Sequence, residues 1–328
     1  MTLFIDGHTY HYEMECLCRM FFFYQKIEVV HAQAPSGENY VYTGAARTEE
    51  TTRLSVQVRL DERVHDEQAQ VQNAREDYDS FCEKELARMV YRILSKLTGT
   101  HLGWGILTGI RPVRLVHSFW EQGKDDGEIQ QIFQRDYYAS PQKTQLAITT
   151  AYQEKQIISR SGRDSFSLYV SIPFCPSRCR YCSFVSHSVE KTKKLMEPYV
   201  DHLCRELRLV ADQVKQLGLR LETVYFGGGT PTTLTAQQLE RLFDTIKEQF
   251  DLSHLQEYTV EAGRPDTITP EKLQAIKAAG ITRISINPQT LSDSVLQEIG
   301  RRHTTQQTLE AFALARKMGF DNINMDLI

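Results

Sequence analysis

The fold class is indicated by one stretch near the middle of the chain, Tyr169-Val170-Ser171-Ile172-Pro173-Phe174-Cys175-Pro176-Ser177-Arg178-Cys179-Arg180-Tyr181-Cys182. Its first part is rich in β-forming residues, and its second part is a loop with three cysteines in a C-x3-C-x2-C pattern. From this strand onwards strands and helices alternate, which predicts a parallel sheet or barrel with right-handed crossovers. The predicted strands are 167–173, 222–226, 257–261, 282–286 and 322–328, and the predicted helices are 192–217, 236–250, 270–279, 293–299 and 305–318.

The first half of the chain has a different pattern. Strands are predicted at 40–43 and 54–60, with a turn at 35–39. Helical spacing follows over 86–97, from Pro112 to about Gln122 and over 140–158, with Gly99 as a C-terminal cap and an apolar, glycine-rich connector at 103–112. We therefore predict an α/β protein in which residues 1–165 form an α+β accessory domain and residues 166–328 form a partial (β/α) barrel.

Composition excludes several classes of protein. The chain has 328 residues, a net charge of −4, 41% hydrophobic residues and 24% charged residues, which is typical of a globular domain and not of a disordered or fibrous chain. Mild acidity argues against a nucleic-acid partner, and no apolar run is long enough for a membrane span. No secretory signal is visible at the N-terminus, so the sequence predicts a cytoplasmic protein.

The clustered cysteines are candidate metal ligands. Thiolates of Cys175, Cys179 and Cys182 on one short loop can bind three irons of a cubane cluster and leave the fourth iron open to a small molecule. The alternative is a zinc site with His187 or Cys204 as the fourth ligand. The isolated cysteines are interpreted as packing residues, namely Cys16, Cys18, Cys82 and Cys204.

Glycines and polar residues end the strands that follow. Gly227, Gly228 and Gly229 come directly after a buried strand, where missing β-carbons let the backbone approach a ligand closely. A phosphate-binding loop is the competing interpretation, although no Gly-Lys-Ser/Thr follows. Polar residues at or just past later strand ends are expected to converge on the same opening, namely Glu261, Gln289 and Asp326, and Arg301 is placed to bind a carboxylate.

Three ordered motifs resemble those of the radical S-adenosylmethionine (SAM) enzymes, and more narrowly those of the oxygen-independent coproporphyrinogen III oxidase family. The motifs are Tyr169-Val170-Ser171-Ile172-Pro173-Phe174-Cys175, Tyr225-Phe226-Gly227-Gly228-Gly229-Thr230-Pro231-Thr232 and Ile299-Gly300-Arg301-Arg302-His303-Thr304. The resemblance covers residues 166–328, and residues 105–112 resemble the HemZ-type coproporphyrinogen dehydrogenase branch. It implies a radical SAM barrel of six strands, of which this chain holds five.

The resemblance also implies a role for each matching residue. Cys175, Cys179 and Cys182 would bind a [4Fe-4S] cluster whose open iron chelates SAM. The residues implied to contact SAM are Tyr169, Tyr181, Gly228, Gly229, Thr230 and Glu261, and those matching the positions of a second SAM are Gln289, Arg301 and Asp326. The cleaved SAM would yield a 5′-deoxyadenosyl radical after transfer of one electron from a low-potential donor such as flavodoxin or ferredoxin.

The implied substrate is coproporphyrinogen III of haem biosynthesis, whose propionates lose a β-hydrogen and CO₂ to become the vinyl groups of protoporphyrinogen IX. Ser171, Phe184 and the Gly263-Arg264 pair depart from the usual oxidase pattern, and a Phe at the second position also occurs in related haem chaperones. A haem-binding member without oxidase activity is therefore one alternative, and a zinc-stabilised binding module is another. Because the chain stops inside the predicted strand 322–328, we expect a C-terminally truncated fragment that lacks the barrel closure.

Overall fold

A computed structural model describes residues 1–31, 35, 37–108 and 111–328, which divide into two compact units, Met1–Arg160 and Ser161–Ile328. The division falls after residue 160, whereas the sequence predicted it after residue 165. The predicted turn at 35–39 and the predicted connector at 103–112 each include residues outside the described ones, at 36 and at 109–110. Among the described residues, no helix has both the length and the apolar character that crossing a membrane requires.

The first unit contains a mixed sheet and a set of helices. Strand β1 lies parallel to β2 and β3, whereas β3, β4 and β5 pair antiparallel, in the spatial order β2-β1-β3-β4-β5. The elements are β1 (Thr2–Asp6), α1 (His11–Phe21), β2 (Glu28–His31), β3 (Tyr40–Arg47), β4 (Thr51–Leu60), β5 (Arg63–Gln72), α2 (Tyr78–Thr98), α3 (Pro112–Glu121), α4 (Asp126–Asp136) and α5 (Pro141–Ile158). The sequence did not predict β1, β2, β5, α1 or α4.

Two apolar cores stabilise this unit. Alternate residues of β4, such as Leu54 and Val56, are buried against α1 and α2, as expected for a strand with one face on the core. Helix α2 ends at Gly99, which adopts the predicted left-handed cap with φ 69°. Helices α3, α4 and α5 enclose a separate core around Val116, Phe133 and other apolar residues.

The second unit is built on a parallel sheet with the strand order β12-β11-β10-β9-β6. Its elements are β6 (Ser165–Ile172), β7 (Phe174–Cys175), β8 (His187–Ser188), α6 (Val189–Leu217), β9 (Arg220–Gly228), α7 (Ala236–Gln249), β10 (Glu257–Glu261), α8 (Pro270–Ala278), β11 (Arg283–Ser285), α9 (Asp293–Glu298), α10 (Thr305–Lys317) and β12 (Ile323–Asn324). The α/β alternation predicted from the sequence is confirmed. Because the five strands run in one direction, their carboxyl ends share one edge of the sheet.

The core of the second unit explains why these segments form strands and helices. Strands of the sheet bury apolar residues, such as Val224 and Phe226 of β9, and the helices each bury one apolar stripe against them. Helix α7 begins at a capping box in which Thr235 accepts from the N–H of Gln238 and the Gln238 side chain accepts from the N–H of Thr235. Because the strands are parallel, the connections from strand to helix lie at the carboxyl edge of the sheet.

Candidate functional site

The cysteine loop leaves the carboxyl end of β6. Strands β7 and β8 pair in parallel, Cys175 with Ser188, and thereby bring the two ends of the loop together. The backbone N–H of Cys182 donates to the carbonyl oxygen of Cys179 at 3.2 Å, so these two cysteines share one turn. All three thiols are free and half-buried. The loop therefore presents three thiols within one short, folded segment.

The glycines that end β9 allow this loop to approach the sheet closely. Gly228 has φ +98°, and a β-carbon there would lie 2.7 Å from the Ser171 Oγ. A β-carbon on Gly229 would lie 2.8 Å from the Phe174 carbonyl oxygen and 3.0 Å from the Cys175 Sγ. Side chains at these positions would occupy the space beside the cysteine loop. Glycine keeps this space open.

Glu261 ends β10 and enters the same region. Its Oε1 accepts a hydrogen bond of 2.5 Å from the Tyr225 hydroxyl. Burial raises the pKa of Glu261 above its ordinary value, and the hydrogen bond from Tyr225 opposes this shift. Tyr225 was not predicted to make this contact, although it lies on the strand that leads to the glycines.

The connection after β11 provides the side-chain amide of Gln289, whose oxygen has no partner among the described residues. Gln289 adopts a left-handed φ of 67°, its N–H donates to the Asp326 carbonyl oxygen at 3.0 Å, and its own carbonyl accepts from Ile328 at 2.9 Å. These bonds hold the backbone of Gln289 against the segment after β12. The Gln289 Oε1 is buried and has no hydrogen-bond partner among the described residues, which leaves it available to a ligand.

Two buried arginines bring positive charge to the site. Arg301 is 7% exposed, and its Nη1 donates to the Asn287 carbonyl oxygen at 2.6 Å. Arg264 is 2% exposed, and its Nη2 donates to the Ser177 Oγ at 2.8 Å. Burial raises the pKa of Cys175, while its hydrogen bond with Thr230 and the charge of Arg264 oppose the shift. Of the two guanidinium groups, that of Arg264 lies next to the Cys179 thiol, which becomes anionic when it binds metal.

One cavity of about 210 Å³ collects these side chains at the carboxyl edge of the sheet. Of the twelve predicted site residues, eleven line it: Cys175, Cys179, Tyr181, Cys182, Gly228, Gly229, Thr230, Glu261, Gln289, Arg301 and Asp326. The exception is Tyr169, which is 57% exposed and stacks on Tyr225 with ring centroids 5.7 Å apart. Lining residues that the sequence analysis did not assign to the site are Ser177, Phe184, Ser186, Gly263, Arg264, Asn287 and Ile328.

The structure also bears on the zinc interpretation. His187 and Cys204, its proposed fourth ligands, do not line the cavity, and Cys204 is buried in the core of the second unit. Across the described ranges, no group of three or more His, Cys, Asp or Glu side chains, the three loop cysteines included, is arranged to hold a single metal ion. A cluster differs from zinc in this respect, because each thiolate binds a different iron. Of the isolated cysteines, Cys18, Cys82 and Cys204 are buried and Cys16 is half-buried, and burial raises the pKa of Cys18 to about 12.

Residues 169–328 match the Radical SAM superfamily. They form a radical SAM domain, and that superfamily implies a [4Fe-4S] cluster and SAM. The residues present fit both groups. Three free thiols open into one cavity, Gly228 and Gly229 leave room beside them, and the buried Gln289 Oε1 lacks a partner among the described residues.

The relatives align with stretches of this chain that differ in length. It is 38% identical over 239 residues to the oxygen-independent coproporphyrinogen-III oxidase-like protein HemZ of Bacillus subtilis, covering 72% of this chain and 48% of HemZ. It is 40% identical over 162 residues to the heme chaperone HemW of Lactococcus lactis, covering 49% of this chain and 40% of HemW.

A solved structure, the coproporphyrinogen III oxidase HemN of Escherichia coli, aligns with 27% identity and a TM-score of 0.43 over 54% of this chain and 40% of that one. The chain spans about half the length, or less, of these relatives.

Proposed function

We propose that this chain is the cluster-binding and SAM-binding part of an oxygen-independent coproporphyrinogen III oxidase, which converts propionate side chains to vinyl groups. The observation that carries the proposal is the cavity in which three free thiols meet a glycine-lined strand end, a half-buried carboxylate and two buried arginines. This combination suits a cluster with one open iron and a zwitterionic ligand that bears both an amino group and a carboxylate.

The extent of the likeness to HemZ supports the choice of substrate. The 239 aligned residues exceed the 168 residues of the second unit, so the alignment with HemZ includes part of the first unit. The aligned stretches with HemW proteins, at 162–166 residues, are no longer than the second unit alone. The likeness to HemZ therefore covers a larger part of this chain than the likeness to the HemW proteins does, which favours a tetrapyrrole oxidase as the proposed function.

Each of the predicted site residues would then have its own role. Cys175, Cys179 and Cys182 would hold the cluster. Gly228, Gly229 and Thr230 leave room for the methionine part of SAM and, with Tyr181 and Glu261, would contact it. Gln289, Arg301 and Asp326 would bind a second SAM, and Tyr169 would contact ligand only at the rim, because it does not line the cavity.

Once bound, the cluster and SAM supply removal of a hydrogen atom from an unactivated C–H bond, which no side-chain acid or base of this chain can perform. A low-potential one-electron donor such as flavodoxin or ferredoxin would complete the system.

One observation favours a second candidate, a haem-binding chaperone of the same superfamily. Phe184 lines the cavity and is 62% exposed, at the place where the oxidase pattern has a fourth cysteine. An exposed aromatic ring at the cavity provides apolar surface for a flat tetrapyrrole. Haem bound at one equivalent per chain, with no conversion of coproporphyrinogen, would support this candidate.

The deciding experiment is anaerobic reconstitution with iron and sulfide, followed by incubation with SAM, a reductant and coproporphyrinogen III. We expect visible charge-transfer absorbance, cleavage of SAM and formation of protoporphyrinogen. The matched control replaces Cys175, Cys179 and Cys182 together by Ala and should lose all three signals. Absence of the absorbance and of SAM cleavage in the unmodified chain would refute the assignment.

A further inference from the structure

Arg264 makes the closest contact between a buried cation and the cysteine loop. It follows the carboxyl end of β10 and is 2% exposed. Its Nη1 lies 3.2 Å from the Ser177 carbonyl oxygen and 3.6 Å from the Cys179 Sγ, and its Nη2 lies 2.8 Å from the Ser177 Oγ. One planar guanidinium thus donates to a backbone carbonyl, a hydroxyl and a thiol of the same short loop.

Arg264 forms an ion pair with a single carboxylate, and its Nη1 faces the cysteine loop. The Ser177 carbonyl and hydroxyl are neutral, and the nearest carboxylate in the described structure is that of Asp266, whose Oδ1 lies 3.5 Å from the Arg264 Nε. That nitrogen is buried and makes no hydrogen bond in the described structure. A buried cation is costly unless an anion accompanies it. The Cys179 sulfur becomes such an anion when it ligates iron as a thiolate.

Ser177 also connects the cysteine loop to a third segment, the turn after α9. Its Oγ donates to the Gly300 carbonyl oxygen at 2.7 Å, and the Arg180 N–H donates to the Ile299 carbonyl oxygen at 3.0 Å. The loop is therefore held both by Arg264 after β10 and by the turn after α9. These contacts set the shape of the loop through protein groups alone.

We propose that Arg264 is a positioning residue that orders the cysteine loop and that its charge raises the reduction potential of the cluster which Cys179 helps to bind. Reduction adds an electron to a group already surrounded by thiolates, so a nearby cation stabilises the reduced form. The hydrogen bond to the Cys179 sulfur acts in the same direction. This inference rests on the cluster-binding part of the proposed function.

The test separates the charge of Arg264 from its geometry. Arg264→Gln removes the charge, Arg264→Lys keeps a point charge without the planar fork, and Ser177→Ala removes one anchor while Arg264 stays. Arg205→Gln, at an exposed position on α6, is the matched control for the loss of one positive charge. Each variant of the full chain is reconstituted anaerobically, its iron and sulfide are counted, and its midpoint potential is measured by redox titration followed by electron paramagnetic resonance.

We expect Arg264→Gln to make reduction of the cluster about tenfold less favourable, a shift of about 59 mV to lower potential for a one-electron couple. Arg264→Lys and Ser177→Ala should keep a potential close to that of the unmodified chain but lose iron faster to a chelator, because the loop is less restrained. Arg205→Gln should match the unmodified chain in both measurements. A purely structural role would change iron retention without lowering the potential.

The outcomes are distinguishable from those that test the proposed function. If the unmodified chain holds a cluster and Arg264→Gln has the same potential as Arg205→Gln, the inference is wrong while the proposed function stands. If Arg264→Gln holds too little iron for a titration, Asp266→Asn, which removes the carboxylate beside Arg264, should raise the potential, and an unchanged potential overturns the role of the charge. If the unmodified chain holds no cluster, both the proposed function and this inference are overturned.

Discussion

Replacing Gly229 by Ala tests whether the glycines after β9 are required for close contact with the cysteine loop. The added β-carbon would lie 2.8 Å from the Phe174 carbonyl oxygen and 3.0 Å from both the Ile172 carbonyl oxygen and the Cys175 Sγ. Two of these three atoms are backbone, and the Ile172 oxygen also accepts from the Gly229 N–H at 2.9 Å. They cannot withdraw without disturbing the junction of β6 and β7.

The expected cost follows from that geometry. Forcing one extra carbon into a packed site where neighbours cannot move costs ~1–3 kcal/mol. Gly227→Ala is the matched control, because its β-carbon would lie 2.8 Å from the Tyr169 hydroxyl and 2.9 Å from the Tyr225 Cε1, which are side-chain atoms. Tyr169 is 57% exposed and can swing away, so this variant should lose less than ~1 kcal/mol.

The assay uses an internal reference in the chain. Both tryptophans, Trp104 and Trp120, lie in the first unit, so their fluorescence during urea unfolding follows that unit alone. Far-UV circular dichroism follows both units. Gly229→Ala should lower the urea midpoint of the dichroism transition that belongs to the second unit and leave the urea midpoint of the fluorescence transition unchanged. It should also reduce the amount of iron bound after reconstitution. Equal effects of Gly229→Ala and Gly227→Ala, or no effect of either, would refute the steric argument.

Two further predictions concern buried groups of the second unit. Burial, with the charge of Arg301, lowers the pKa of His303 from 6.5 to about 4. Below pH 6.5 the unfolded chain therefore binds a proton at His303 that the folded chain does not bind. The contribution of His303 to the free energy of unfolding is complete above pH 6.5 and falls by about 3 kcal/mol as the pH drops towards 4. His303→Leu should flatten the dependence of the urea midpoint on pH between 7 and 5, and an unchanged slope would contradict the shift. The Lys272 Nζ donates to the carbonyl oxygens of Thr232 at 2.6 Å and Thr267 at 3.0 Å, so Lys272→Met should cost ~1–3 kcal/mol in the dichroism transition. Lys193→Met, at an exposed position on α6, should cost almost nothing, and equal losses in the two variants would show that the buried hydrogen bonds do not contribute.

The two halves of the chain differ in how well sequence patterns predicted them. In the second unit the predicted strand 167–173 is observed as Ser165–Ile172, and the predicted helix 236–250 as Ala236–Gln249. Apolar runs of parallel strands and helix caps such as Thr235 are local signals, so they can be read without the fold. Strand β5 in the first unit has a single buried residue, Val71, and its ten residues are ordered by pairing with β4. No apolar alternation marked it in the sequence.

The residues of the candidate site also differ in how well the sequence predicted them. Cysteine spacing and the Gly227-Gly228-Gly229 run identified the loop and the strand end that line the cavity. Tyr169 was expected among the cavity residues but lies outside its lining, because its ring stacks on Tyr225. Arg264 and Asn287 were not assigned, although each lies within three residues of a predicted site residue. Position after a strand does not reveal the direction in which a side chain points.

The sequence by itself determined the α/β alternation of the second unit, the cysteine motif and the convergence of polar residues from the strand ends on one cavity. These features depend on short spacings and on the shared direction of parallel strands. Only the tertiary structure revealed that the charged side chain of Arg264 lies beside the Cys179 thiol. Arg264 and Cys179 are separated by 85 positions, and they meet because β6 and β10 lie on either side of β9 with their carboxyl ends at one edge. Such a contact depends on the packing of whole strands, which no local pattern records.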